Sequence, residues 1–185
     1  MLIKICGFKD PETAFFAAKN GADFVGMVLT PGYERSVTVE EAKLIARAVK
    51  EGGSVPVAAF VTEAACDVER ICAEIGVTTV QHYKAALELS VHLHRFYVNQ
   101  PLTALRTGDY LLMENKPNLI PGAFVRPDEK PFFIAGGLTP ANVQEMIAQF
   151  QPSGVDVSSG VEKGGRKNKE LILEFIEKAR SYVYI

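Results

Sequence analysis

The stretch Phe132-Phe-Ile-Ala-Gly-Gly-Leu-Thr-Pro140 contains one complete unit of the pattern that decides the fold. Its first four residues form an apolar run without alternation, which is typical of a strand covered on both faces in a parallel sheet. Gly136 and Gly137 then allow a tight turn. Thr139-Pro140 predicts a helix start, because Pro is tolerated at the first helical position. The unit therefore consists of a strand, a glycine turn and a helix.

This unit recurs along the chain. Short apolar or β-branched runs predict eight buried strands, at residues 2–6, 24–28, 57–61, 79–82, 94–99, 110–114, 132–135 and 155–157. Helices are predicted at Asp10-Pro11, at Val39–Glu51 and over about 169–183, and Thr38 and Glu41 have capping-box spacing before the second of these. Eight strands alternating with helices predict the α/β class, as a closed (β/α)₈ TIM barrel.

The length of the chain modifies this prediction. Such barrels run from roughly 200 residues upward, and 185 residues leave about 23 for each of eight units. The shortage falls on residues 84–90 and on residues 115–130, where several prolines exclude a regular helix. We therefore predict a trimmed barrel with short or missing helices after strands 4 and 6, formed by residues 1–185 as a single domain.

Composition and charge exclude several classes of protein. The longest stretch without Asp, Glu, Lys or Arg has 14 residues, 131–144, whereas a membrane-spanning helix needs about 20 apolar residues. A net charge of −2 without a basic stripe argues against nucleic acid as a partner. Three cysteines without a signal-peptide pattern predict reduced thiols in a cytoplasmic protein. The three histidines lack metal-ligand spacing, so we expect no metal.

In a (β/α)₈ barrel the active site lies at the carboxyl ends of the strands. Candidates that this rule selects are Lys4, Cys6, Gln81, His82, Glu114, Gly136, Gly137, Asp156, Ser158 and Ser159. Cys6 could act as a base or nucleophile if it ionises, or pack as a small hydrophobic residue. Glu114 could donate a proton, or be a surface residue at the start of a loop. Arg35, in the loop after strand 2, could clamp a carboxylate.

The loops after strands 7 and 8 predict a phosphate site, because glycines let backbone N–H groups approach an anion and these two loops form the recurrent phosphate site of this fold. The alternative is that the glycines only turn the chain, but two such loops in the expected order favour phosphate. The residues assigned to phosphate binding are Gly136, Gly137, Ser158, Ser159 and Gly160.

Six motifs stand in a familiar order along nearly the whole chain. They are Lys4-Ile-Cys-Gly7, Asn20-Gly-Ala-Asp23, Arg35-Ser-Val37, Tyr110-Leu-Leu112, Ala135-Gly-Gly-Leu138 and Gly154-Val-Asp-Val-Ser-Ser-Gly-Val-Glu162. Together they resemble the phosphoribosylanthranilate isomerase family of tryptophan biosynthesis. The resemblance implies a cofactor-free Amadori rearrangement of a small phosphorylated substrate, N-(5'-phosphoribosyl)anthranilate, to 1-(2-carboxyphenylamino)-1-deoxyribulose 5-phosphate. We expect a monomer or a weak homodimer.

The resemblance also implies residue roles. Cys6 matches the general base that removes the C2 proton of the sugar, and Glu114 stands where a carboxylic acid protonates the ring oxygen. Arg35 matches the residue that holds the anthranilate carboxylate, and Asp156 matches a residue that contacts sugar hydroxyls. Lys4 and Gln81 complete the set of residues that we assign to substrate binding.

The sequence departs from the family at several positions. Glu114 replaces an Asp and is longer by one methylene, about 1–1.5 Å, and a misplacement near 1 Å can cost roughly 10²-fold in rate. The family's Gln-Leu-His-Gly is reduced to Gln81-His82-Tyr83, a Pro-rich segment at 115–130 replaces a Gly-rich loop, and Ser36 replaces a Tyr. Two alternatives therefore stay open: a phosphate-ligand-binding barrel with impaired catalysis, and an isomerase with an altered sugar-phosphate substrate.

Overall fold

The computed structural model describes residues 1–83, 88–90, 92–99, 106–114 and 131–182. Eight parallel strands form a closed barrel in chain order: β1 (Leu2–Ile5), β2 (Phe24–Val28), β3 (Val55–Phe60), β4 (Thr79–His82), β5 (His94–Val98), β6 (Tyr110–Glu114), β7 (Phe132–Ala135) and β8 (Gly154–Val157). The barrel closes where β1 pairs with β8, and Lys4 lies opposite Asp156 in the register. The predicted (β/α)₈ barrel is confirmed.

In the part of the chain that is described, four helices connect successive barrel strands: α1 (Pro11–Lys19), α2 (Val39–Glu51), α3 (Ala65–Ile75) and α4 (Val143–Phe150). A fifth helix, α5 (Lys169–Ser181), follows the last strand. A short antiparallel pair, β9 (Glu162–Lys163) and β10 (Arg166–Lys167), follows β8. Asp10 caps α1 by accepting from the N–H of Thr13 at 2.8 Å, and Thr38 forms the predicted capping box with Glu41. Most of the segment predicted to be short after strand 4, at 84–87, and all of 115–130 lie outside the described residues.

Some predicted boundaries were wrong by one to three residues. β1 ends at Ile5 rather than Cys6, because Gly7, with a φ of 85°, turns the chain away from the sheet. The helix predicted at Thr139-Pro140 begins at Val143. Its start is delayed by Asn142, which accepts from the N–H of Thr139 at 2.8 Å and donates to the carbonyl of Gly137 at 2.9 Å. These bonds hold a turn between the glycine loop and α4.

Other boundaries differ by a similar margin. β3 starts at Val55 and ends at Phe60, β5 ends at Val98, and β8 starts at Gly154. α5 ends at Ser181, and residue 183 of the predicted helix lies outside the described part of the chain.

Aromatic rings fill the amino-terminal half of the barrel interior. Phe24, Phe96, Tyr110 and Phe133 pack with centroid distances of 5.0–6.0 Å. The larger apolar cluster packs between the strands and the helices around them. The Nζ of Lys4 lies 5.5 Å from the centroid of the Phe96 ring. The aromatic layer is therefore the floor on which the polar end of the barrel rests.

A buried ion pair joins β5 to the turn before β6. Arg95 and Asp109 are 2% and 3% exposed, and the shortest of their bonds, from Nη2 to Oδ2, is 2.7 Å. The Asp109 carboxylate also accepts from the backbone N–H groups of Arg95 and Arg106, both at 2.9 Å. This carboxylate consequently fixes the start of the strand that ends in Glu114.

We predict that Asp109→Ala lowers the free energy of unfolding by about 3–5 kcal/mol, because the variant leaves the Arg95 charge buried and unpaired. Glu51→Ala is the matched control, since it removes the carboxylate of an exposed pair with Arg47, and we expect a loss of about 1 kcal/mol or less. Urea denaturation followed by circular dichroism measures both. Equal losses in the two variants would contradict the assignment.

Candidate active site

A cavity of about 490 Å³ opens at the carboxyl ends of the strands. The predicted site residues that line it are Cys6, Arg35, Gln81, Glu114, Asp156 and Ser158. They lie at or directly after the carboxyl ends of β1, β4, β6 and β8, or in the loop after β2, so side chains far apart in sequence meet in one space. This is the placement that the barrel rule predicts for catalytic residues.

Lys4 and Asp156 form an ion pair across the β1–β8 seam. The Nζ–Oδ2 distance is 2.8 Å, and Lys4 is fully buried. Burial lowers the pKa of the Lys4 ammonium, but the charges and hydrogen bonds of Asp156 and Cys6 outweigh burial and raise that pKa overall. Burial raises the pKa of Asp156, and Lys4 opposes this rise. Lys4 is therefore a fixed cation beneath the cavity.

Two buried side-chain oxygens at the cavity are unsatisfied hydrogen-bond acceptors in the described part of the chain. Within the described part of the chain, neither Oδ1 of Asp156 nor Oε1 of Gln81 has a hydrogen-bond partner. A buried polar atom without a partner costs about 1–3 kcal/mol. A ligand with two hydroxyl or amine donors would remove this cost.

Cys6 follows β1 directly and is 8% exposed. Gly26 on β2 makes room for the thiol, because a Cβ at that position would lie 2.6 Å from Sγ. Burial raises the pKa of the Cys6 thiol, while the charges of Lys4 and Lys167 oppose the rise. A thiolate formed here is consequently a stronger base than one in water.

Arg35 is held by a carboxylate on β9. Its Nε and Nη2 donate to the two carboxylate oxygens of Glu162 at 2.9 and 2.8 Å. The buried Nζ of Lys167 donates to the same carboxylate at 2.6 Å and to the carbonyl of Ser158 at 2.9 Å. The hydrogen bond from Arg35 lowers the pKa of Glu162 to about 2, with Lys167 contributing. We call Arg35, Glu162 and Lys167 the rim cluster.

Glu114 is anchored through its main chain and its carboxylate. Its backbone N–H donates to Oδ1 of Asn99 at 3.0 Å. Its Oε1 lies 3.4 Å from the hydroxyl of Tyr83, which also accepts from Nε2 of Gln81 at 3.2 Å. The carboxyl group predicted as an acid therefore has a defined position at the cavity.

The loops after β7 and β8 pack against each other. Gly136 and Gly137 have φ values of 90° and 69°, a conformation that favours glycine. A Cβ at Gly160 would overlap the carbonyl oxygen of Leu138, so only glycine allows this close approach. Ser158 ties the second loop to β1 by donating to the carbonyl of Cys6 at 3.0 Å, and Ser159, which is exposed, starts a 3₁₀ turn, Ser159–Val161.

Other candidates lie outside this lining or have a different environment. Lys4 lies below the cavity, and Gly136, Gly137, Ser159 and Gly160 belong to the adjoining loops rather than to the lining of the 490 Å³ space. His82 is 1% exposed, and its ring lies 4.9 Å from that of Tyr97 in the outer apolar cluster. Strand alternation turns it outward when Gln81 faces inward.

Sequence reasoning missed four residues around the cavity: Gly26, Tyr83, Glu162 and Lys167. Glu162 stood at the end of a quoted motif and Tyr83 in the shortened segment after strand 4, but neither received a role. Lys167 offered no signal, because its burial arises only when the β9–β10 pair folds back on the barrel. Gly26 is recognisable only from the space that the Cys6 thiol occupies.

The chain is similar to proteins named as phosphoribosylanthranilate isomerases. The family model described as "N-(5'phosphoribosyl)anthranilate (PRA) isomerase" matches residues 119–178. Proteins named N-(5'-phosphoribosyl)anthranilate isomerase are 32% identical in Chlamydia felis, over 97% of both chains, and 34% identical in Streptococcus pneumoniae, over 96% of this chain and 95% of the relative.

Solved structures similar to this chain carry the same enzyme name as these relatives. A phosphoribosyl anthranilate isomerase in complex with reduced 1-(o-carboxyphenylamino)-1-deoxyribulose 5-phosphate superposes with a TM-score of 0.84 at 26% identity, over 97% of this chain and 98% of that one. Monomers made from the dimeric enzyme of Thermotoga maritima give a TM-score of 0.83 at 27% identity, over 98% and 99% of the two chains.

Among the described residues, no group of three or more His, Cys, Asp or Glu side chains is placed to hold a metal ion. The helices that the structure describes include none that is long and apolar enough to cross a membrane.

The depressed pKa of Glu162 predicts a pH-dependent stability. Glu162→Gln should lower the free energy of unfolding by about 2–3 kcal/mol at pH 7, since charged hydrogen bonds are lost. Because the folded pKa lies near 2 and the unfolded one near 4.3, the wild-type advantage is complete above pH of about 5 and shrinks as the pH falls toward 2.

Urea denaturation at pH 7, 5 and 3 measures this difference. Glu12→Gln is the control, because Glu12 forms an exposed pair with Lys169, and we expect its effect to be below about 1 kcal/mol at each pH. A Glu162→Gln penalty that stays constant down to pH 3 would rule out the bidentate pair as its source.

Proposed function

We propose that this chain, which belongs to the phosphoribosylanthranilate isomerase family, uses Cys6 as the base and Glu114 as the acid of the family's reaction. The chain is an isomerase of tryptophan biosynthesis that carries out the Amadori rearrangement of N-(5'-phosphoribosyl)anthranilate. The observation that supports the two residue roles is that Cys6 and Glu114, from different strands, line the same cavity.

The reaction needs an acid and a base on one sugar ring. Glu114 gives its proton to the ring oxygen while the C1–O bond breaks, and the nitrogen lone pair forms a C=N bond to C1. The Cys6 thiolate then takes the proton from C2, and the electron pair of that C–H bond forms the enolamine. The C2 hydroxyl of the enolamine then loses its proton to form the C2 carbonyl while C1 gains a proton, which gives the 2-ketose, so C1 is reduced and C2 is oxidised within one molecule. This internal transfer needs no cofactor.

The acceptor oxygens fit the sugar. Oδ1 of Asp156 and Oε1 of Gln81 are buried at the cavity, and ribose hydroxyls are donors for both. Lys4 holds the other oxygen of Asp156 at 2.8 Å, which fixes the direction of the free one. The ring hydroxyls thereby set C2 of the sugar toward Cys6.

Arg35 and the glycine loops fit the two anionic ends of the substrate. Glu162 binds Nε and Nη2 of Arg35, which leaves Nη1 as the donor for the anthranilate carboxylate. The close approach of Gly160 to Leu138 joins the loops after β7 and β8 into one surface. We assign the phosphate to this surface, with Gly136, Gly137, Ser158, Ser159 and Gly160 around it.

The wider context of the enzyme is also a proposal. We propose that residues 1–185 act as a single barrel domain, in the cytoplasm, as a monomer or weak homodimer. A related structure from Thermotoga maritima describes monomers generated from a dimeric enzyme, and a plant relative is chloroplastic.

We predict that Cys6→Ser and Glu114→Gln each lower kcat by about 10²–10⁴-fold, which is the range of general acid–base contributions. Turnover is followed as the loss of anthranilate-type fluorescence. Cys66→Ser is the matched control, because that thiol is exposed on α3, and we expect unchanged activity. A folded wild type that binds the reduced product but shows no turnover would instead indicate the ligand-binding barrel.

We also predict that kcat/KM rises with pH through the ionisation of Cys6, because the base acts in its deprotonated form. Burial raises the pKa of this thiol, so the midpoint should lie above the value of about 8.5 for an ordinary thiol. Alkylation of Cys6 by iodoacetamide, located by mass spectrometry, reports the same ionisation independently. Different midpoints in the two experiments would exclude Cys6 as the base.

A further inference from the structure

Tyr83 connects two strands at the mouth of the cavity. It follows β4 directly, lines the cavity and is 36% exposed. Its hydroxyl lies 3.2 Å from Nε2 of Gln81 and 3.4 Å from Oε1 of Glu114. A single hydroxyl thus links a residue that we assign to substrate binding with the residue that we assign as the acid.

The direction of these hydrogen bonds is fixed by chemistry. The amide nitrogen of Gln81 can only donate, so the Tyr83 oxygen accepts from it. The hydroxyl in turn donates its proton to Oε1 of Glu114. Burial raises the pKa of Tyr83, with the charges of Glu114 and Cys6 adding to the rise. The hydroxyl consequently stays protonated and is a permanent donor to the carboxyl group.

The length of Glu114 makes such a donor necessary. A Glu has one more rotatable bond than an Asp, and holding a long polar side chain still can cost about 1.5–2 kcal/mol of rotamer freedom. The hydrogen bond that the Glu114 N–H donates to Asn99 fixes only the main chain of Glu114. At 3.4 Å the bond from Tyr83 is longer than the 2.7–2.8 Å of a strong O–H···O bond, and a shift of about 0.6 Å would make it strong.

We propose that Tyr83 is a positioning residue for the reaction: its hydroxyl holds one oxygen of Glu114 so that the other faces the ring oxygen of the substrate. The proposal rests on the acid role of Glu114. It accounts for how Glu114, which is one methylene longer than Asp, can act as the acid at the end of β6. The hydrogen bond from Tyr83 sets the rotamer of Glu114, and the longer side chain extends toward Tyr83.

Tyr83→Phe tests the proposal, because it removes only the hydroxyl. We expect kcat to fall about 3- to 10-fold, the size of one hydrogen bond, while KM changes less than twofold. Tyr110→Phe is the matched control: it removes a hydroxyl at the other end of β6, beside the aromatic floor, and kcat should stay within twofold of the wild type. Circular dichroism checks that both variants fold.

A double-mutant cycle separates positioning from a general structural effect. Glu114→Asp shortens the side chain away from Tyr83, so adding Tyr83→Phe to Glu114→Asp should change kcat less than twofold. An equal fall in kcat in both backgrounds would overturn the proposal, as would a Tyr83→Phe variant with the wild-type kcat while Glu114→Gln is inactive. If Glu114→Gln itself keeps the wild-type kcat, the acid role of Glu114 fails instead.

Discussion

The buried ion pair of Lys4 and Asp156 is the interaction on which the rest of the site depends. It joins the first and last strands of the barrel, and Lys4 and Asp156 are 152 positions apart in the sequence. A buried charge is tolerated only when a partner compensates its desolvation. Closure of the barrel therefore brings Lys4 and Asp156 together. The pair in turn places the positive charge of Lys4 beneath the cavity, near Cys6.

The same balance of burial and charge extends to the rim of the cavity. Glu162 holds two cations, Arg35 and Lys167, and the second of these is itself buried. Lys167 also binds the carbonyl of Ser158, at the start of the loop that packs on the glycine turn after β7. The rim cluster therefore couples the proposed carboxylate-binding side of the cavity to the proposed phosphate-binding loops.

The side of the cavity that carries Glu114, the proposed acid, is built differently. Glu114 ends a strand whose start is fixed by the buried pair of Arg95 and Asp109. Its carboxyl group lies beside the neutral hydroxyl of Tyr83. Cys6, the proposed base, thus lies near the charges of Lys4, Asp156 and Lys167, while the side chain of Glu114, the proposed acid, lies beside the neutral hydroxyl of Tyr83.

The sequence by itself determined the strands, the caps of α1 and α2 and the strand-end positions of Cys6 and Glu114, because apolar runs, turn glycines and capping residues act over a few neighbours. It also carried the family motifs. Only the tertiary structure decided which side chains pair with one another and which are buried. The outward turn of His82 depends on which face of β4 is covered, and the burial of Lys167 depends on the packing of the β9–β10 pair against the barrel. The late start of α4 at Val143 comes instead from local hydrogen bonds of Asn142. Which charges form ion pairs, and where a side chain such as the Cys6 thiol finds space, are set by the closed barrel, so no local sequence pattern predicts them.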